Sequence, residues 1–422
     1  MLPVHVRCAE PETRLRSPTV RDRSFLALCA LILVNQMGFG IITPVLPAYA
    51  RSFGLDASSV GLVIGIYGFA RFLANVPAGQ LAERRGRRQV LIVGTVITSI
   101  ASALIATATS LPLLLAYRLL AGLGAATVLT GGQIMVGDIA TPENRGRMMS
   151  TYQGFFLVGV GLGPAPGGIL ADQFGLRAPF VAYAIFSALA CVLAMLVIRE
   201  TKPEGSSAAT AAVASNASSA DGTRIRATLL SSPFLLIGAV SFVQFFARTG
   251  AVFTAVPLLG IDRAGLTASQ IGYAMAGVNL LNIATLYPSG QLADRVGRKL
   301  AIAPATLVCG LAMLLWGRAT DYPSFILAAA VWGLGSGISG PSPAAYVADL
   351  APADLRGRIF GYFRSVSDFG YIIGPLLIGA MIDRFGYATP LMATAVMFLI
   401  SGAAFWLFAP EFHRRAAPVA TS

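Results

Sequence analysis

Five charged residues fall inside long apolar stretches of this 422-residue chain: Arg71, Arg118, Arg248, Arg364 and Asp368. A charge within hydrocarbon is costly, so such residues face a bundle interior or a wet cavity and mark ion or substrate pathways. Asp368 is the acid of the set and can carry a proton. A neighbouring guanidinium holds a carboxylate ionised, and poor hydration opposes ionisation. Arg364 precedes Asp368 by four positions, hence shares its helical face and can simply neutralise it. Arg71 and Asp368 lie roughly 18–20 Å into their stretches at ~1.5 Å per residue, near a bilayer midplane. Asn35, Gln36 and Asn282 are polar groups in similarly apolar surroundings. No enzyme chemistry is expected, because no nucleophile–base pair and no His/Cys cluster lies in these stretches. Cys8, Cys29, Cys191 and Cys309 are scattered and His5 and His413 are near the ends, so no metal, cofactor or disulfide framework is expected.

The elements that hold these residues follow from composition. The chain is 55% hydrophobic and only 12% charged, against roughly a quarter charged in soluble domains. Runs of about eighteen or more apolar residues recur along it, each long enough to cross hydrocarbon as a helix. Twelve spans are predicted, at 25–49, 59–82, 89–109, 112–137, 148–171, 178–198, 232–258, 268–292, 300–317, 323–348, 358–382 and 388–409. The net charge of +12 sorts by topology: about 22 of the 31 Lys and Arg fall on one side of these spans, 5 on the other and 4 within. Positive loops mark the cytoplasmic side, so both tails and the central linker are expected there, and nucleic acid is not an expected partner. The only lysines, Lys202 and Lys299, follow no Gly-rich loop, and Gly335-Ser-Gly337-Ile-Ser-Gly340 lies in a span with no strand before it. Neither ATP nor a dinucleotide is therefore expected.

The chain repeats itself. A single shift of 211 carries Gly79-Gln-Leu-Ala-Glu83-Arg84 onto Gly290-Gln-Leu-Ala-Asp294-Arg295. It also carries Pro112 to Pro323, Asp138 to Asp349, Arg145-Gly146-Arg147 to Arg356-Gly357-Arg358, Gly163-Pro164 to Gly374-Pro375, and Asp172 to Asp383. Two related halves that rock about a midplane site are the mark of secondary transporters. Residues 200–231 between them are Ala/Ser-rich and read as a flexible linker.

These motifs resemble those of the major facilitator superfamily. GQLAERRGRR (79–88) and GQLADRVGRK (290–299) are similar to its motif A, through Gly79, Glu83, Arg84, Gly86, Arg87 and Arg88, then Gly290, Asp294, Arg295, Gly297 and Arg298. The resemblance implies a cytoplasmic latch of Glu83, Arg84 and Asp138, with Asp294, Arg295 and Asp349 as a partial counterpart and Arg145 and Arg356 nearby. YRLLAGLGAA (117–126) resembles motif B, whose Arg, here Arg118, projects into the cavity. GVGLGPAPGG (159–168) resembles motif C through Gly159, Gly163, Pro164, Gly167 and Gly168, a motif associated with exporters that exchange substrate for protons; a tight helix-packing face is the alternative. Asn35 to Pro44, Pro44-Val-Leu-Pro47 and the Arg199-Glu-Thr-Lys run add similarity to the twelve-span drug:proton antiporter branch.

The expected fold is an all-α membrane protein of twelve helices in two pseudo-symmetric six-helix bundles. Tail 1–24, bundle 25–199, linker 200–231, bundle 232–409 and tail 410–422 follow in order. The expected function is proton-coupled export of a small molecule by a monomer in a bacterial inner or plasma membrane. The Arg-rich spans and the amide pair Asn35–Gln36, where cation exporters commonly have an acid, imply a neutral or anionic amphipathic substrate. An importer or uniporter of an organic anion or sugar is the runner-up, and a non-transporting receptor or scaffold the distant alternative. Asp368 is the expected proton carrier, and Asn35, Gln36, Arg71, Arg118, Arg248, Asn282 and Asp368 the expected cavity residues.

Overall fold

The computed structural model describes residues 20–141, 144–201, 219–340, 342–352 and 355–411. Every long element among them is helical. In chain order, spans 1 to 12 are Ser24–Ile42, Ala57–Arg85, Arg87–Thr107, Leu111–Ile139, Arg145–Phe174, Ala178–Leu196, Ser232–Asp262, Ala268–Val296, Arg298–Arg318, Tyr322–Leu350, Arg356–Phe385 and Ala388–Phe408. Eleven are long and apolar enough to cross a membrane. The other, Ala268–Val296, has the 29 residues of its repeat partner Ala57–Arg85. Large apolar side chains point outward all round, with Leu196 78% and Phe408 69% exposed. That is the surface of a chain whose solvent is lipid rather than water.

Local sequence fixes the ends. Asp56 opens span 2 by accepting from the Ser59 N–H at 2.8 Å, and Asp321 opens span 10 in a reciprocal box with Ser324. Between spans 2 and 3, and again between spans 8 and 9, the chain reverses through Gly86 (φ 102°) and Gly297 (φ 114°), a conformation that favours glycine. Span 1 is shorter than the sequence suggests. It ends at Ile42 and a separate short helix, Leu46–Arg51, follows, because Pro44 brings no N–H to continue the ladder. The expected linker is helical over Ser219–Leu229, while 202–218 and the end segments 1–19 and 412–422 lie outside the described residues.

The small residues of span 5 lie against the backbone of span 1. A Cβ on Gly159 would meet the Leu33 carbonyl at 2.5 Å, one on Gly163 the Met37 carbonyl, and one on Gly167 the Ile41 carbonyl. Contacts spaced by four along both helices are one ridge in one groove. Pro164 then separates Arg145–Leu162 from Pro164–Phe174 at Gly163. The equivalent Pro375 sits inside a continuous Arg356–Phe385 helix.

Candidate functional site

Between the halves lies a cavity of about 350 Å³. From the first half come Thr43, Gln153, Val160 and Pro164; its polar lining is mostly from the second, including Ser241, Gln244, Arg248, Asn279, Asn282, Ser336, Ser339, Arg364 and Ser367. Apolar surface comes from Phe245, Val252, Phe253, Met275, Val278 and Trp332. Gln153 and Arg364 occupy equivalent repeat positions and both face it. Among the described residues lining it there is no carboxylate.

Arg248 stands in an irregular part of span 7. Residues Ala247–Ala255 form a π-helix, whose looser register is seen where Thr254 donates its hydroxyl to the Thr249 carbonyl at 2.8 Å. Such segments are concentrated at functional sites. No carboxylate pairs with Arg248 among the described residues. Gln244, one turn earlier, donates to Ser339 Oγ at 2.7 Å; Ser336 donates to Asn282 Oδ1 at 2.8 Å; and Ser241 and Ser367 share a hydrogen bond of 2.7 Å. Ser241, Ser336, Ser339 and Ser367 are not singled out by the sequence, because Ser is common in packed membrane helices and only rotation about the helix axis tells a lining residue from a packed one; Gln244 carries the same signal as Gln36 and is missed there.

The other expected cavity residues lie elsewhere. Arg364 and Asp368 pair at 3.4 Å. Asp368 lines a recess of about 10 Å³ with Arg71, Asn75 and Tyr371 instead of the main cavity. Arg71 lies 5.9 Å from the Tyr67 ring centroid and 5.5 Å from that of Tyr371, with Nε buried and unpartnered. Arg118 is fully buried, 4.5 Å from the Tyr67 ring centroid; its Nε donates to the Val63 carbonyl at 3.2 Å, its Nη1 lacks a partner, and it lines a separate recess of about 20 Å³. A tyrosine face thus takes the place of a counter-ion for Arg118, while Arg71 has Asp368 in its recess as well as two tyrosine rings. Asn35 and Gln36 bond to each other at 3.3 Å within the packing of span 1, and neither lines the cavity.

At the end bearing the basic loops, the two ion pairs seen among the described residues each lie within one half. Asp138 is held by Arg87 at 2.6 Å, and Asp349 by Arg298 at 3.4 Å. Glu200 accepts from the Arg87 and Arg88 N–H groups at 2.8 and 3.2 Å. Glu411 does the same for Arg298 and Lys299 at 2.9 and 3.0 Å. Both carboxylates sit against the positive end of a helix, and Glu200 and Glu411 are themselves 211 apart. That shift was available in the sequence; Glu200 belongs to the Arg199-Glu-Thr-Lys run, but its partner Glu411 is visible only once the repeat is followed to its end. Arg88 also donates to the Met195 carbonyl. Glu83, Arg84, Arg145 and Arg356 are exposed, and the side chains of Asp294 and Arg295 lie outside the described residues. The basic partner found for Asp138 is thus Arg87, where the latch expectation named Arg84. Gly79 and Gly290 have room for a side chain, so no close approach explains them.

At the opposite end the bonds cross between halves. Asp172 accepts from the Ala268 and Ser269 N–H groups at 3.2 and 2.9 Å, and Asp383 from Ala57 and Ser58, both at 2.8 Å. Gly168 and Gly379 let the backbones meet there. Arg51 reaches Asp262 at 3.0 Å and the Tyr387 hydroxyl at 3.2 Å, and Tyr387 donates to Asp262. Burial first, then the Asp262 hydrogen bond, raises the Tyr387 pKa above the ordinary phenol value, so the hydroxyl remains a donor. The two halves are therefore closed against each other at this end.

Sequence comparison gives the same family twice over: the family model described as Major Facilitator Superfamily matches residues 28–278 and 239–421. The chain is similar to the class C tetracycline resistance protein of Escherichia coli, 28% identical over 95% of this chain and 99% of that one. It is also similar to the quinolone resistance protein NorA of Staphylococcus aureus, 23% identical over 86% and 90%. Among solved structures, a D-xylose–proton symporter superposes with a TM-score of 0.75 at 16% identity, covering 92% of this chain and 98% of that one. A bacterial homologue of the human lysosomal transporter Spinster superposes with 0.75 at 17%, covering 93% and 97%.

Proposed function

Because this chain belongs to the major facilitator superfamily, we propose that it is a proton-coupled exporter of a small neutral or anionic amphipathic compound, working by alternating access. The observation that carries the reading is the cavity between the halves, which are bonded to each other at one end and line it, among the described residues, with two guanidiniums and no carboxylate. Bonds between halves at the non-basic end, against bonds within halves at the basic end, fit one of two alternating states. With the positive loops cytoplasmic, that state faces inward, and both termini are cytoplasmic in a bacterial inner or plasma membrane. Halves 25–199 and 232–409 rock as bodies joined by 200–231, in a monomer driven by an ion gradient rather than ATP. Asp368 carries the proton, with Arg364 and Arg71 beside it tuning it. The motif A residues and their partners gate the cytoplasmic end, and the span 5 motif, shared in type with exchangers, supports export.

The test is proton movement in proteoliposomes with an inside-acid gradient while neutral, anionic and cationic compounds are added. The expected result is discharge by a neutral or anionic compound and its loss in Asp368→Asn. A gradient that never moves although a compound crosses would leave uniport. A second reading, import or uniport of an organic anion, is favoured by the same acid-free lining.

A further inference from the structure

We infer that Arg248 is the seat of a substrate's negative group, and that the molecule seated there is a compact aromatic acid, a carboxylate or sulfonate on one or two fused rings. The proposal narrows the substrate class of the transport reading and rests on it only in taking the main cavity as the place where substrate sits.

Three features of the cavity lead there. The first is charge. Of the two guanidiniums facing the cavity, Arg364 already has Asp368 at 3.4 Å, whereas Arg248 has no carboxylate among the described residues. A cation held in a poorly hydrated space without a counter-ion attracts one. The second is the hydrogen-bonding balance. Arg248 brings N–H donors in a fork that matches a planar or tetrahedral oxyanion. Ser339 accepts from Gln244 beside it. Asn282 uses its carbonyl oxygen on Ser336, which leaves its amide N–H groups. A fork of donors with no carboxylate beside it among the described residues calls for a ligand that brings acceptors. The third is shape: Phe245, Phe253 and Trp332 share the lining, and about 350 Å³ is near the small end of the range for ligand pockets. An aromatic plate fits against those rings while its anionic edge meets Arg248.

The test compares naphthalene-2-sulfonate with naphthalene-2-sulfonamide and 2-naphthylmethylammonium, three compounds of similar size and different charge. Binding to the purified full chain in detergent is measured by isothermal titration calorimetry at neutral pH. The expected order is sulfonate at least tenfold tighter than sulfonamide, with the ammonium weakest. Arg248→Gln removes the sulfonate preference and leaves sulfonamide affinity within about twofold, while Arg248→Lys restores part of it. Equal affinity for the three compounds, no measurable sulfonate binding, or unchanged sulfonate preference in folded Arg248→Gln overturns the proposal. If Arg248→Gln fails to fold, the wild-type order of affinities still decides. Binding is read without any gradient, so a failure of proton coupling and a failure of the anion seat are separate results.

Discussion

At the scale of single residues, charge in the membrane is the most legible signal, and orientation the least. Arg248 and Asn282 face the cavity as their types suggest. Arg118, Arg71 and Asp368 turn toward tyrosines and each other in small recesses. Residue type reports that a group is costly to bury, not which way its helix is rotated, so Asn35 and Gln36 end up in packing. Glycines are the reverse case, since the backbone approach they permit has a definite cost when blocked. Gly159→Leu should destabilise by about 1–3 kcal/mol through overpacking on span 1, seen as a lower melting temperature in detergent. Gly154→Ala, with open space around it, should melt like wild type. An unchanged Gly159→Leu would mean that spans 1 and 5 do not pack this closely.

At the scale of elements, helix ends carry the argument. The carboxylates of Glu200 and Glu411 each bond two N–H groups at the start of a helix. Glu200→Gln and Glu411→Gln should each cost roughly 0.3–1 kcal/mol. Being at separate helices, the two should add in the double variant, as read by thermal melts. A strongly non-additive result would show that the two ends are coupled. The carboxylates of Asp172 and Asp383 are different, because they bond helices of the other half. Asp172→Asn with Asp383→Asn should weaken the sealed end and shift the population toward the other state. Labelling of a Thr43→Cys probe by a membrane-impermeant maleimide added from the outside should then rise several-fold; an unchanged rate would mean these bonds do not hold the seal. The motif sequences announce where helices break at Gly86 and Gly163. They do not announce the π-helix at Ala247–Ala255, since a register change of one residue leaves no compositional trace.

At the scale of the whole molecule, the sign of substrate charge has a consequence for direction. Seating an anion at Arg248 favours proton uptake on electrostatic grounds alone, so the proton change on binding separates the proposed exchange from the second reading for anions. Naphthalene-2-sulfonate binding in weakly buffered solution should therefore be accompanied by proton uptake, and net release would point to exchange even for anions. Uptake strengthens the import reading for anions and leaves export to neutral compounds. Twelve spans and two halves were readable from the apolar runs and the 211-residue shift, because lipid imposes helix length and duplication imposes register. Which end is sealed was not readable, because both states are built from one sequence.

The shift of 211 also joins Arg51 to Asp262, and those two residues touch. Equivalent positions that meet must lie on the axis relating the halves. In a perfectly duplicated chain that point would hold two arginines or two aspartates, facing each other at contact distance. An ion pair on the axis is possible only once the copies have diverged, so this spot records broken symmetry and rewards it. It also makes handedness irrelevant there: Arg51→Asp combined with Asp262→Arg should keep the seal that either change alone loosens.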